Sequence, residues 1–189
     1  MSRTDLKRTS MYAGGSSPGK LLEAQFYHED CLVYDLEDSV AQGEKDAARF
    51  LVYQMVRYHR PKDKYVIVRV NGIYSDYIEQ DLEAVVRARP DALRIPKVER
   101  AEEVNRIDQR VAQIEVAAGI PVGSTELWCN IESALGVANA NEIGVMKTDI
   151  GIILNVPSTL TTIGMLIPAI INKDCFEKKP EVFPEAFII

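Results

Sequence analysis

Six short apolar runs recur along the chain, separated by longer segments in which apolar residues return at helical spacing. The runs are Ser10 to Ala13, Cys31 to Leu36, Tyr65 to Val70, Ala92 to Ile95, Leu127 to Ile131 and Ile150 to Leu154. Runs of this length, rich in Val, Ile, Leu and Tyr and bounded by polar residues, predict strands buried on both faces, as in a parallel sheet. Between them, Glu44 to His59 brings Ala47, Ala48, Leu51, Val52, Met55 and Val56 onto one helical face. Tyr77 to Arg89 and Ala101 to Ala118 repeat the pattern, the latter through Val104, Ile107, Val111, Ile114 and Val116. Five helical segments, the first and last short, thus separate six strands.

Such alternation implies βαβ units, because a parallel neighbour cannot be reached through a tight hairpin. No Gly/Ser-rich or Pro-rich linker interrupts it, so one domain is expected. Two parallel architectures compete. A doubly wound nucleotide-binding sheet opens its first helix with a glycine-rich turn. Gly14-Gly15-Ser16-Ser17-Pro18-Gly19 is glycine-rich, but it lacks both the G-x-G-x-x-G spacing and the Gly-Lys-Ser/Thr ending of a P-loop, and serves equally as a plain turn. The alternative is a β/α barrel, whose active site lies where the strands end.

Composition narrows the function. The 189 residues hold 22 Lys+Arg against 28 Asp+Glu, a net charge of -6 with no basic run, which argues against a nucleic-acid partner. Three widely spaced cysteines, Cys31, Cys129 and Cys175, suggest neither a disulfide framework nor a thiolate zinc site, and a reducing cytoplasm is the expected setting. No apolar stretch follows the basic residues near Met1, so no secretory signal is expected. The 23 residues from Ile150 to Asn172 carry no charge, long enough to cross a bilayer. Asn155, Pro157, Ser158 and Pro168 interrupt them, so a buried strand followed by irregular chain is expected rather than a membrane span.

Candidate chemistry gathers at the strand ends. The second strand finishes in Tyr34-Asp35-Leu36-Glu37-Asp38-Ser39, the third in Val68-Arg69-Val70-Asn71, the fourth in Arg94-Ile95-Pro96-Lys97 and the fifth in Cys129-Asn130-Ile131-Glu132-Ser133. In a barrel these ends form one rim, so acids, an arginine and a lysine would share a pocket. Each has a plainer reading too. Asp38 or Ser39 would cap the helix that begins near Glu44, Ser133 the one after Glu132, and Arg69 would pair with Glu37 or Glu132 as a structural ion pair. As a functional set, Arg69 offers a planar fork for a substrate carboxylate, and is read as the one arginine placed within a strand just before its carboxyl end. A neighbouring carboxylate suits magnesium, which prefers oxygen ligands. His28 and His59 fall away from this rim, which argues against a histidine triad or a zinc hydrolase.

These residues resemble a known family. Arg8 to Gly15, Tyr34 to Val40 followed by Glu44 to Arg49, Val68 to Asn71, the pair Pro96-Lys97, and Gly123 to Thr125 leading to Ile131 to Val137 resemble the citrate lyase beta subunit. The signature is shared by the citryl-CoA, citramalyl-CoA and malyl-CoA lyases of the HpcH/HpaI aldolase superfamily, and covers residues 8–154. The resemblance implies a parallel (β/α)8-type TIM barrel, here incomplete with about six β/α units. It further implies magnesium-dependent cleavage of a 3-hydroxyacyl-CoA to acetyl-CoA and a 2-oxo acid such as oxaloacetate. By match of motif, Arg69 and Glu132 are the catalytic pair. Arg69 would bind the substrate carboxylate and Glu132 the metal, and Glu37, Asp38 and Lys97 would complete the substrate site.

The sequence then departs from the family. The second metal-ligating aspartate aligns with Ser158, and residues 155–189 form a divergent tail. The family continues for roughly another hundred residues, so the resemblance implies a barrel lacking its last two strands, with exposed edges and a tendency to form homo-oligomers. Three readings follow. The first is a lyase chain, alone or in a multi-subunit lyase complex, acting on an acyl-CoA thioester. The second is a non-catalytic remnant or binding subunit. The third is an aldolase acting on free 2-oxo acids.

Overall fold

The computed structural model describes residues 7–145 and 150–154. Strands and helices alternate through β1 (Ser10–Gly14), α1 (Pro18–Glu23), β2 (Cys31–Asp35), α2 (Lys45–Tyr58), β3 (Tyr65–Arg69) and α3 (Ile78–Ala88). They continue through β4 (Ala92–Ile95), α4 (Ala101–Ala117), β5 (Glu126–Ile131), α5 (Ala134–Ala138), α6 (Ala140–Val145) and β6 (Ile150–Leu154). All six strands are parallel and lie in sequence order, β1-β2-β3-β4-β5-β6. The order never reverses, so right-handed crossovers put every helix on one side of the sheet, as in an arc of a β/α barrel and unlike a doubly wound sheet.

Strand periodicity divides the core accordingly. Leu32, Tyr34, Val66, Val68, Leu93, Leu127 and Cys129 pack beneath Val52 and Val56 of α2, Leu82 and Val85 of α3, and Ile107 and Val111 of α4. Alternate residues Cys31, Val33, Tyr65, Ile67 and Ala92 form a separate cluster with Trp128 on the face that carries no helix, the barrel interior. Registry then aligns the carboxyl ends: Asp35 pairs with Arg69, Arg69 with Arg94 and Arg94 with Trp128.

The glycine pair after β1 serves close packing. The Gly15 amide donates to the Asp35 carbonyl at 2.8 Å, and a Cβ on Gly15 would stand 2.7 Å from that same oxygen. Backbone cannot yield as a side-chain tip can. Gly15→Ala is expected to cost about 1–3 kcal/mol in urea unfolding by forcing β1 and the end of β2 apart. A loss below a few tenths would mean that the turn has room to relax.

The structure corrects several expectations. The second and third strands end one residue early, at Asp35 and Arg69, although Leu36 and Val70 still donate to the carbonyls of Arg69 and Arg94. On α2, Ala47 is exposed and Leu51 half-buried, while Lys45 and Arg49 are buried in the stripe with Ala48 and Val52. On α4, Val116 is 67% exposed and its neighbour Glu115 is buried instead. Glu115 earns that place by accepting the amides of Gly123 and Thr125, at 2.7 and 2.9 Å, and so shapes the turn before β5. Neither Asp38 nor Ser39 caps a helix, whereas Ser133 does cap α5, its hydroxyl accepting from the Gly136 amide at 3.1 Å. Of the uncharged stretch, residues 150–154 are strand β6. Among the described residues no helix is long and apolar enough to cross a membrane. Ser158 and the tail 155–189 lie outside the described residues.

Candidate active site

The rim is organised by Asp35, the last residue of β2. Its Oδ1 and Oδ2 accept the amides of Glu37 and Ser39, at 2.9 and 3.1 Å, which folds the following loop back over the strand end. The same carboxylate receives Arg69 as a fork, Nε at 2.7 Å and Nη2 at 2.8 Å. The remaining terminal nitrogen of Arg69, Nη1, faces Glu37 at 3.2 Å and Asp38 at 3.6 Å. Lys97 reaches in from beyond β4, with Nζ 2.8 Å from Glu37 Oε1 and 3.7 Å from Asp38. Its backbone is left-handed, φ 55°, a conformation that costs a non-glycine residue about 1–2 kcal/mol.

Arg69, Glu37, Asp38 and Lys97 are therefore brought together. Glu132 stands beside them, close enough for its charge to favour protonated Lys97, but its Oε1 takes a hydrogen bond from Asn130 Nδ2 at 2.9 Å. The ion pair weighed for Arg69 is made chiefly with Asp35, then with Glu37, and not with Glu132.

Two buried clasps hold this rim from behind. Lys45 on α2 donates to the carbonyls of Leu36 and Glu37 at 2.7 and 2.6 Å, fixing the loop that carries Glu37. One turn later, Arg49 donates to Asp81 of α3 at 2.8 Å, and Asp81 also accepts the backbone and side-chain amides of Asn71 at 3.0 and 2.6 Å. The Lys45/Arg49 spacing of i, i+4 thus ties the ends of β2 and β3 to the outer helices.

The two carboxyls at the heart of the site are shifted in opposite directions. Burial pushes Glu37 up, more than Lys97 and Arg69 pull it down. Burial acts the same way on Asp35, but the Arg69 fork, the Ser39 bond and the guanidinium charge outweigh it, and Asp35 lies below 3.8. A depressed carboxyl adds stability that is present above its unfolded pKa and is lost as pH falls through its folded pKa. The Asp35→Asn variant should therefore show a flatter fall in urea midpoint below about pH 3.8 than the parent. Parallel acid limbs in the two proteins would place the titrating group elsewhere.

On the interior face, the structure reveals residues that the sequence reading passed over. Arg69 is not the one arginine near a strand end: Arg94 occupies the aligned position on β4 and is 5% exposed. Both guanidinium groups lie over the Tyr12 ring, at 5.1 and 5.4 Å from its centroid, and Arg94 also lies 5.7 Å from the Trp128 ring. Arg94 donates to the Tyr12 hydroxyl. Outside the strands, an open cleft of about 420 Å³ runs past Glu37, Asp38, Lys45, Asn71, Tyr77 and Lys97.

Among the described residues no three acids, histidines or cysteines gather into a ready-made cation site. The donor chemistry at the rim nonetheless suits a hard cation. Glu132 is a carboxylate with no ion-pair partner among the described residues, and the buried Asn130 Oδ1 beside it is without a hydrogen-bond partner.

Residues 8–164 match the HpcH/HpaI aldolase/citrate lyase family. The chain is 40% identical over 150 residues to the citrate lyase subunit beta of Haemophilus influenzae, covering 79% of this chain and 52% of that one. It is 34% identical over 157 residues to a (3S)-malyl-CoA thioesterase of Cereibacter sphaeroides, covering 83% and 51%. Among solved structures, the citrate lyase beta subunit of M. tuberculosis, complexed with oxaloacetate and magnesium, superposes with a TM-score of 0.56 at 25% identity, covering 75% and 54%. The chain spans about half the length of the curated relatives it matches. With the family's motifs running from β1 to β6 and its acidic and basic side chains assembled on one rim, the chain belongs to the HpcH/HpaI aldolase/citrate lyase family.

Proposed function

We propose that this chain serves carbon–carbon cleavage of a 3-hydroxyacyl-CoA of the citryl-CoA type, giving acetyl-CoA and a 2-oxo acid such as oxaloacetate. The observation that carries the reading is Arg69, anchored by Asp35 at the carboxyl rim and flanked by Glu37, Asp38 and Lys97. Two of its N–H groups are spent on Asp35, and others remain for a substrate carboxylate.

Cleavage requires the 3-hydroxyl to lose its proton as it becomes a ketone, while the bonding electron pair passes to the thioester enolate, which is then protonated. Glu37, raised by burial and hydrogen-bonded to Lys97, is the carboxyl suited to carry a proton between these positions. Lys97, kept protonated chiefly by its Glu37 hydrogen bond, places positive charge where the oxygen develops negative charge. Glu132 would hold magnesium directly, and Glu37 and Asp38 through water. That ion supplies Lewis-acid polarisation of the oxygen that becomes the ketone. One protein carboxylate gains little over the ion's water shell, so the described residues alone would hold it weakly.

The relatives named as malyl-CoA thioesterases favour a second reading, hydrolysis of the thioester without carbon–carbon cleavage. Incubating the purified chain with citryl-CoA and magnesium separates the two. Acetyl-CoA with oxaloacetate supports the lyase, free coenzyme A thiol with citrate supports the hydrolase, and neither leaves a binding subunit or remnant.

We further propose a cytoplasmic setting, in keeping with Cys31 and Cys129 standing as free buried thiols, which burial pushes up to about 11 and about 12. It would assemble as a homo-oligomer or within a multi-subunit lyase. Among the described residues β1 pairs only with β2 and β6 only with β5. A sharp monomer in sedimentation velocity at micromolar concentration would count against assembly.

A further inference from the structure

Burying a guanidinium is costly unless an anion faces it. Arg69 meets this condition three times over, through Asp35, Glu37 and Asp38. Arg94, at the same level on the adjacent strand, does not. It is 5% exposed, yet among the described residues no carboxylate lies within ion-pair distance, its one hydrogen bond goes to the Tyr12 hydroxyl, and its Nε has no partner. Two aromatic rings, Tyr12 and Trp128, return only part of that cost. Tyr12, which touches both arginines, is 44% exposed, so this part of the interior is reached from solvent. A buried guanidinium left without an anion beside an accessible wall is the mark of a site completed by an anionic ligand.

We propose that Arg94 receives a second substrate carboxylate, so that the pocket selects dicarboxylic over monocarboxylic 2-oxo acids. This rests on the reading of the rim as an oxo-acid site and sharpens it: Arg69 takes one carboxylate and Arg94 the other, with the shared Tyr12 ring as the spacer between them.

The chain carries its own reporter. Trp128 is its single tryptophan and lies against the Arg94 guanidinium. The test titrates the parent, Arg94→Gln and Arg94→Lys with oxaloacetate and with pyruvate in the presence of magnesium, following tryptophan emission and heat. In the parent, oxaloacetate should bind about 10- to 100-fold more tightly than pyruvate, the worth of one charge-assisted fork, and should change the emission more. Arg94→Gln should abolish that preference while leaving pyruvate within about threefold, and Arg94→Lys should keep part of it. Equal affinity for the two acids in the parent overturns the inference, as does an unchanged ratio in Arg94→Gln. If circular dichroism shows Arg94→Gln unfolded, the ratio in the parent and in Arg94→Lys decides. A parent that binds neither acid overturns the oxo-acid reading itself and this inference with it. Binding of both acids at a ratio indifferent to Arg94 overturns this inference alone.

Discussion

Asp81→Ala should lower the free energy of unfolding in urea by about 3–5 kcal/mol. Asp81 is 1% exposed and answers three donors at once, Arg49 Nε and the two amides of Asn71. Removing it leaves Arg49 buried with only the solvent-exposed Asp46 as counter-charge, and leaves a buried peptide N–H without an acceptor. Asn71 lies in the loop after β3, two residues beyond Arg69, so the rim should loosen together with the core. A loss under about 1 kcal/mol would show that water replaces the carboxylate and that the clasp is dispensable.

Arg69→Lys should weaken oxaloacetate binding by about 100-fold in calorimetry while leaving the chain folded. The substitution keeps the charge and removes the planar fork, so a single ammonium must choose between Asp35 and the substrate. It would also release Glu37 and Asp38 from their shared guanidinium contact. A Lys variant that binds as well as the parent would mean that Arg69 serves only to neutralise Asp35, Glu37 and Asp38.

The architecture was legible because strand-length apolar runs and helix-spaced segments alternate without exception from Ser10 to Leu154. The polar part of the site was only half legible. Glu37, Asp38, Arg69 and Lys97 stand in the motifs that follow the strands, and they do meet. Asp35 and Arg94 were passed over as site residues because their importance is set by registry: Asp35 faces Arg69, and Arg69 faces Arg94, only once three strands are aligned across separations of 34 and 25 residues. Helix α2 hid its clasps for a different reason. A reading that looks for an apolar stripe scores Ala47 and Leu51 and skips Lys45 and Arg49, although the two cations sit in the buried face because the rim carbonyls and Asp81 satisfy them. Val116 misled in the opposite sense, being apolar where the turn before β5 needed the neighbouring Glu115.

The unbroken order of the sheet carries a consequence for how the chain comes into being. Each new strand docks beside the one made just before it, so the sheet can grow vectorially while the polypeptide is still leaving the ribosome. Loop closure at every step spans only one strand–helix unit, which keeps its entropic cost low. A nascent chain that has emerged as far as the loop after β4 already contains Asp35, Arg69, Arg94 and Lys97, whereas Glu132 arrives one unit later. Arrested nascent chains of increasing length should therefore acquire protease resistance stepwise, and the anion-binding half of the pocket should exist before the half that would hold a metal.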